Sequence, residues 1–160
     1  MQKLRDRHEG SAAETSGTSK ARPVVLATMS VGVDPGAERM AIESALEAGV
    51  PLILVNLITV PFYATVVMHD PEAISPPHGE PVDTVRGTAA RAARLGIRTE
   101  FLRVRTRHAI RALMGVVSER DAGLLVFGPD MKRTGRLRFR LAARRVRRDA
   151  PCLVWIAPDG

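Results

Sequence analysis

Residues 123–158 read GLLVFGPDMKRTGRLRFRLAARRVRRDAPCLVWIAP. Leu124–Phe127 is a short apolar run closed by Gly128, which fits a buried strand. Arg136–Arg148 carries apolar residues at helical spacing, with Leu137, Leu141, Ala142 and Val146 as the expected buried stripe. Cys152–Ile156 is apolar again and follows Pro151, a second strand. Strand, helix and strand in this order predict a parallel pair joined by a right-handed crossover.

Working outward, the same alternation runs back to Pro23. Strands are expected at Val24–Met29, Pro51–Leu57 and Ile97–Val104, and helices at Ala37–Ala48, Val82–Leu95 and Arg107–Arg120. Ile110, Leu113, Met114 and Val117 give the last helix its apolar face, and Gly49 and Gly96 are natural helix stops. The segment 58–81 holds five prolines together with Phe62, Tyr63, Val66, Val67 and Met68. It reads as a long loop packed over the sheet edge, a subunit contact or a ligand lid. Residues 1–21 lack any apolar period and read as a disordered tail, leaving one domain over 22–158.

Composition excludes several classes. With 45% hydrophobic and 26% charged residues the chain is an ordinary globular domain. No apolar run is long enough to span a membrane, and no secretory h-region opens the sequence. The lone Cys152 forms no internal disulfide; a cytoplasmic location is expected. The net charge of +7 is local. Nine basic residues and no acid lie between Lys132 and Arg148, while the rest of the chain has 15 basic against 17 acidic residues. The body is slightly acidic and carries one basic element.

The 123–158 stretch, with Ala150-Pro151-Cys152-Leu153-Val154 at its end, resembles the universal stress protein family, as does PVVLATMSVGVDPGAERMAIESALEAGVPLILVNL at residues 23–57. The resemblance covers about residues 22–158. It implies an α/β three-layer sandwich with a five-stranded parallel sheet in the order 3-2-1-4-5. It further implies a non-catalytic regulatory or ligand-binding domain, with ATP or another adenine nucleotide as the ligand of members that bind one. A homodimer through the last strand is implied as well, with Cys152, Val154 and Trp155 at the contact. An apolar edge strand needs such cover on physical grounds too.

The chain departs from the family's nucleotide motif. Where nucleotide-binding members carry an acid after the first strand, Met29 precedes Ser30. Of the pattern G-x2-G-x9-G-[ST], Gly128 supplies the first glycine, Met131 replaces the second, and the terminal pair falls on Arg140-Leu141 or Leu141-Ala142. Such glycines let backbone N–H groups approach phosphates, and the hydroxyl adds a donor. Lost or altered ATP binding follows, with weak ATP hydrolysis as the enzymatic version of the same reading. Ligands of open α/β sheets sit at the carboxyl ends of strands. The expected pocket is therefore Met29, Ser30, Gly128, Pro129, Arg133, Gly135 and Arg136, open to an anionic small molecule.

The basic helix has a second reading: a patch for nucleic acid or an acidic partner, made of Lys132, Arg138, Arg140, Arg144, Arg145 and Arg148. A solvated face is the plain alternative. His69, Asp70 and His78 do not make a metal site, His108 reads as a surface residue, and Cys152 as a small buried hydrophobe. Ser30 lacks a G-x-S-x-G elbow, which argues against hydrolase chemistry.

Overall fold

In a computed structural model the structure describes residues 21–60 and 80–158. The expected tail at 1–20, the loop aromatics Phe62 and Tyr63, and His69, Asp70 and His78 lie outside them.

The elements are β1 (Val24–Met29), α1 (Pro35–Ala48), β2 (Leu52–Thr59), α2 (Glu80–Arg94), β3 (Thr99–Thr106), α3 (Ala109–Glu119), β4 (Leu124–Phe127), α4 (Met131–Thr134), α5 (Arg136–Asp149) and β5 (Leu153–Ile156). The five strands form one parallel sheet in the order β3-β2-β1-β4-β5. Right-handed crossovers put α1 and α2 on one face and α3 and α5 on the other. The strand direction reverses its spread between β1 and β4, and that switch point opens at their carboxyl ends.

Burial follows the residue types. β1, β2 and β4 are nearly continuous apolar runs and supply most of the fully buried side chains, as strands covered on both faces require. In α1, Ala37, Ala41 and Ala45 recur every four residues, so the helix presents a smooth small-residue stripe to the sheet. Asp34 starts this helix by accepting from the N–H groups of Gly36 (2.8 Å) and Ala37 (3.0 Å), and Gly49 ends it at φ 63°.

Two expectations are corrected. The buried stripe of α5 is Phe139, Ala142, Ala143 and Val146, whereas Leu137 and Leu141 are 71% and 54% exposed. Phe139 stacks on Phe127 of β4 at a ring separation of 5.9 Å, and that aromatic pair sets the rotation of the helix. The glycine-rich turn also contains a short helix, α4, begun by Asp130.

Candidate functional site

The turn that follows β4 is closed on itself. Gly128 donates its N–H to the carbonyl of Ala27, and its own carbonyl accepts from Asp34 at 3.0 Å. Pro129 is buried and bridges Val33, and the Asp130 N–H reaches the Gly32 carbonyl at 2.9 Å. The Asp130 side chain accepts from the Lys132 N–H at 3.0 Å, and its carbonyl from Arg133 and Thr134. The Gly135 N–H bonds to Met131. The turn's backbone donors at 128, 130, 132, 133, 134 and 135 are thus spent within the protein. A carboxylate occupies the helix start where an anion would otherwise gather.

Gly128 serves packing. A Cβ placed on it would lie 2.0 Å from the Cβ of Ala37. The missing side chain lets α1 press against the end of β4. Gly135 is exposed at φ 83° and ends α4. Ser30 also takes a positive φ, 49°, and its hydroxyl donates to the Leu57 carbonyl at 3.0 Å. The Thr28 hydroxyl lies 2.9 Å from the carbonyls of Val31 and Gly32. The β1 turn is therefore held by its own side chains.

Beside the closed turn, a groove of about 690 Å³ runs between α3 and α5 and reaches the ends of β1 and β2 at Met29 and Thr59. Its apolar lining is Met29, Ile110, Met114 and Leu141. Its cationic lining is Arg107 just before α3, Arg111 in the first turn of α3, and Arg138, Arg145 and Arg148 from α5. The spacing explains the grouping. Positions 110, 111 and 114 share one face of α3, with Arg107 just before the helix, and 138, 141, 142, 145 and 148 share one face of α5. The groove's acid is Asp149, which accepts from Arg148 at 2.7 Å. That bond, ahead of the attraction of Arg148 and Arg145, holds the carboxyl below its ordinary range.

The expected pocket residues thus separate. Met29 lines the groove, while Ser30, Gly128 and Pro129 belong to the closed turns. Lys132, Arg133 and Arg136 are exposed around α4 and the start of α5, with Arg133 3.9 Å from the Asp130 carboxylate. From the basic patch, Arg138, Arg145 and Arg148 enter the groove, and Arg140 and Arg144 lie on exposed parts of α5 outside it. Sequence reasoning missed Arg107 and Arg111. Their i, i+4 spacing at the start of the clearest helix was the available signal; their approach to α5 is a tertiary fact.

A smaller cleft of about 420 Å³ opens at the amino ends of β2 and β3, near Pro23, Arg98 and Glu119. Arg120 and Glu100 close an ion pair there at 2.6 and 2.9 Å, so its charge is internally matched. Among the described residues, no three His, Cys, Asp or Glu side chains are placed to hold a metal ion. No described helix is long and apolar enough to cross a membrane.

Comparison with known proteins agrees with this architecture. The family model for the universal stress protein family matches residues 21–158. The universal stress protein of Archaeoglobus fulgidus is 24% identical, covering 84% of this chain and 97% of its own, with a TM-score of 0.60. UspA of Lactobacillus plantarum is 14% identical, covering 86% and 99%, with a TM-score of 0.63. A universal stress protein solved in complex with cAMP is 20% identical, covering 88% and 98%, with a TM-score of 0.59. At these identities the likeness shows the fold. A sequence search of curated proteins returned no match.

Proposed function

The chain belongs to the universal stress protein family, and from that premise we propose that it is a stress-response domain acting by binding rather than catalysis, with ATP binding lost or altered at the phosphates. One observation carries this reading: the Asp130 carboxylate and the internally bonded N–H groups occupy the turn where phosphates would be cradled. A triphosphate there would meet a negative charge and few free donors. Met29 supports the altered site from the other side, since a thioether in the groove is a poor acceptor for an adenine amino group. The regulatory reading is supported by the groove's donor set. Guanidinium groups bind anions but do not abstract protons. Solved relatives carry cAMP or dAMP, so an adenine nucleotide is the ligand class to test.

The reading includes a homodimer through β5. Supporting it, β5 lies at the sheet edge and Leu153 is 75% exposed.

The test is titration of a fluorescent ATP analogue at about 150 mM salt, with unlabelled ATP, ADP and AMP as competitors. The expected result is no saturable signal that the competitors displace in the micromolar range. Saturable micromolar binding displaced by ATP would overturn the reading.

A further inference from the structure

We infer that the groove between α3 and α5 binds the phosphate backbone of nucleic acid without regard to base sequence. This goes beyond the nucleotide reading, because it uses the length of the groove and not the turn after β4.

The groove concentrates arginines drawn from two helices separated in sequence. Arg107 and Arg111 line it together with Arg138, Arg145 and Arg148, and Met29, Ile110, Met114 and Leu141 supply its apolar part. Asp149 offsets Arg148, and no other acid lines the groove among the described residues. Arg138 and Arg148 are ten residues apart on one helix, about 15 Å along its axis. At roughly 3.4 Å of axial rise per phosphate in one strand of a duplex, that length matches about four phosphates, and fewer of a more extended strand. It exceeds the phosphate chain of a nucleoside triphosphate. Guanidinium forks suit phosphate oxygens in two-bond geometry.

Both helices also start against electrostatic preference. Neither α3 nor α5 has an acid in its first turn. Arg111 stands in the first turn of α3, and Arg136 and Arg138 in that of α5. Cations at the positive end of a helix dipole are unfavourable. A polyanion laid along the groove offsets both unfavourable arrangements. A local rule broken twice at one groove is the pattern expected of a functional surface.

The groove reads charge rather than bases. Among the described residues its lining has no Phe, Tyr or Trp, and its one ring is the imidazole of His108; Phe139 is buried and stacked on Phe127. Affinity without stacking is modest and comes from counterion release, so it falls steeply with salt.

The experiment is fluorescence anisotropy with a fluorescein-labelled oligo(dT) strand, titrated with the full chain at several salt concentrations. With four arginines engaged, a slope near −0.7 per contact predicts about −3 for log affinity against log salt. Affinity then falls about 50-fold between roughly 50 and 200 mM salt. The double variant Arg138→Glu/Arg145→Glu is expected to lose at least tenfold in affinity at low salt, with a shallower slope. Arg107→Gln/Arg111→Gln is expected to weaken binding as well. A control, Arg39→Glu/Arg94→Glu, makes the same charge change on exposed positions of α1 and α2 and should change affinity less than threefold. Thermal melts of all variants establish that they are folded. Equal losses in the groove and control variants would overturn the proposal, since the attraction would be diffuse. So would absence of binding at 50 mM salt. Displacement by polyglutamate as effective as by unlabelled oligo(dT) would overturn it too, in favour of an acidic protein partner. The ATP titration tests the nucleotide reading, to which Met29 of the groove also contributes, whereas the salt slope and the groove variants test this proposal, so the two fail separately.

Discussion

At Gly128, a Cβ would lie 2.0 Å from Ala37 Cβ, well inside any tolerable contact. In sequence this glycine has the look of a phosphate-binding residue, yet its neighbours give it a packing role. Gly128→Ala is expected to destabilise the protein by about 2–3 kcal/mol through overpacking at a buried strand end. Adding Ala37→Gly should recover part of that loss, because the clash is pairwise, less about 1 kcal/mol for glycine inside a helix. Urea denaturation of the single and double variants checks this; a double variant no more stable than Gly128→Ala would show that the contact is not the cause. Cys152 gives a second residue-scale expectation. Cys152 is half-buried and not the buried hydrophobe expected, and that partial burial pushes its thiol above the ordinary range, opposed by the nearby charge of Arg22 and a hydrogen bond at Leu125. The folded thiol therefore stays protonated at pH values where an unfolded cysteine, near pH 8.5, already ionises. Its contribution to stability is fully present below that pH and is lost as pH rises toward the folded value. Labelling with iodoacetamide from pH 7 to 10 should run slower than for a free thiol and accelerate late; a rate equal to free cysteine at pH 8 would contradict the burial.

Among the elements, α5 shows both what sequence can reveal and where it stops. The apolar runs of β1 and β4 have turn residues at their ends, so their bounds were readable to the residue. The Gly49 stop placed the end of α1, whereas its start lies at Pro35, two residues before the expected Ala37, because Asp34 caps it. In α5, however, Leu137 and Leu141 make one face at i, i+4, while Phe139, Ala142, Ala143 and Val146 make another at i, i+3, i+4, i+7. Both are valid helical stripes, and periodicity alone cannot rank them. Phe127, twelve residues earlier on β4, decides by stacking on Phe139. The groove was half legible for a similar reason. The basic run of α5 is local in sequence, but its partners Arg107 and Arg111 are brought to it only when α3 packs alongside. The turn after β4 was legible as a departure from a glycine pattern, whereas the internal use of its donors at 128 and 130 depends on Ala27 and Gly32, about a hundred residues away in sequence and brought near only by the fold. The phase of α5 has a direct test. Phe139→Ala should cost about 3–5 kcal/mol, as for other buried aromatics, while Leu137→Ala should stay within about 0.5 kcal/mol. Chemical denaturation separates the two, and the reverse order would mean the helix is rotated to bury the leucines.

Considered as a whole molecule, the sheet has two unlike edges. β3 forms one, and its exposed Arg103 and Arg105 place charge along it, a common defence against strand addition. β5 forms the other with Leu153-Val154-Trp155-Ile156, four apolar residues with no charge among them. Leu153 is the most exposed large apolar side chain described, and Val154, Trp155 and Ile156 are only half-buried. An edge of that kind invites pairing, and the proposed partner is a second copy of the same strand, which meets its own kind with identical register demands. The net charge of +7 opposes association weakly at physiological salt, because surface charges more than about 8 Å apart are largely screened. Sedimentation equilibrium at micromolar concentration should therefore give a dimer mass at about 150 mM salt. Leu153→Arg places on β5 the kind of charge that guards β3, and should shift the mass to that of a monomer while far-ultraviolet circular dichroism is unchanged. A monomeric wild-type chain, or a Leu153→Arg variant that stays dimeric, would remove β5 as the interface and leave the exposed leucines of α5 as the apolar surface in need of cover.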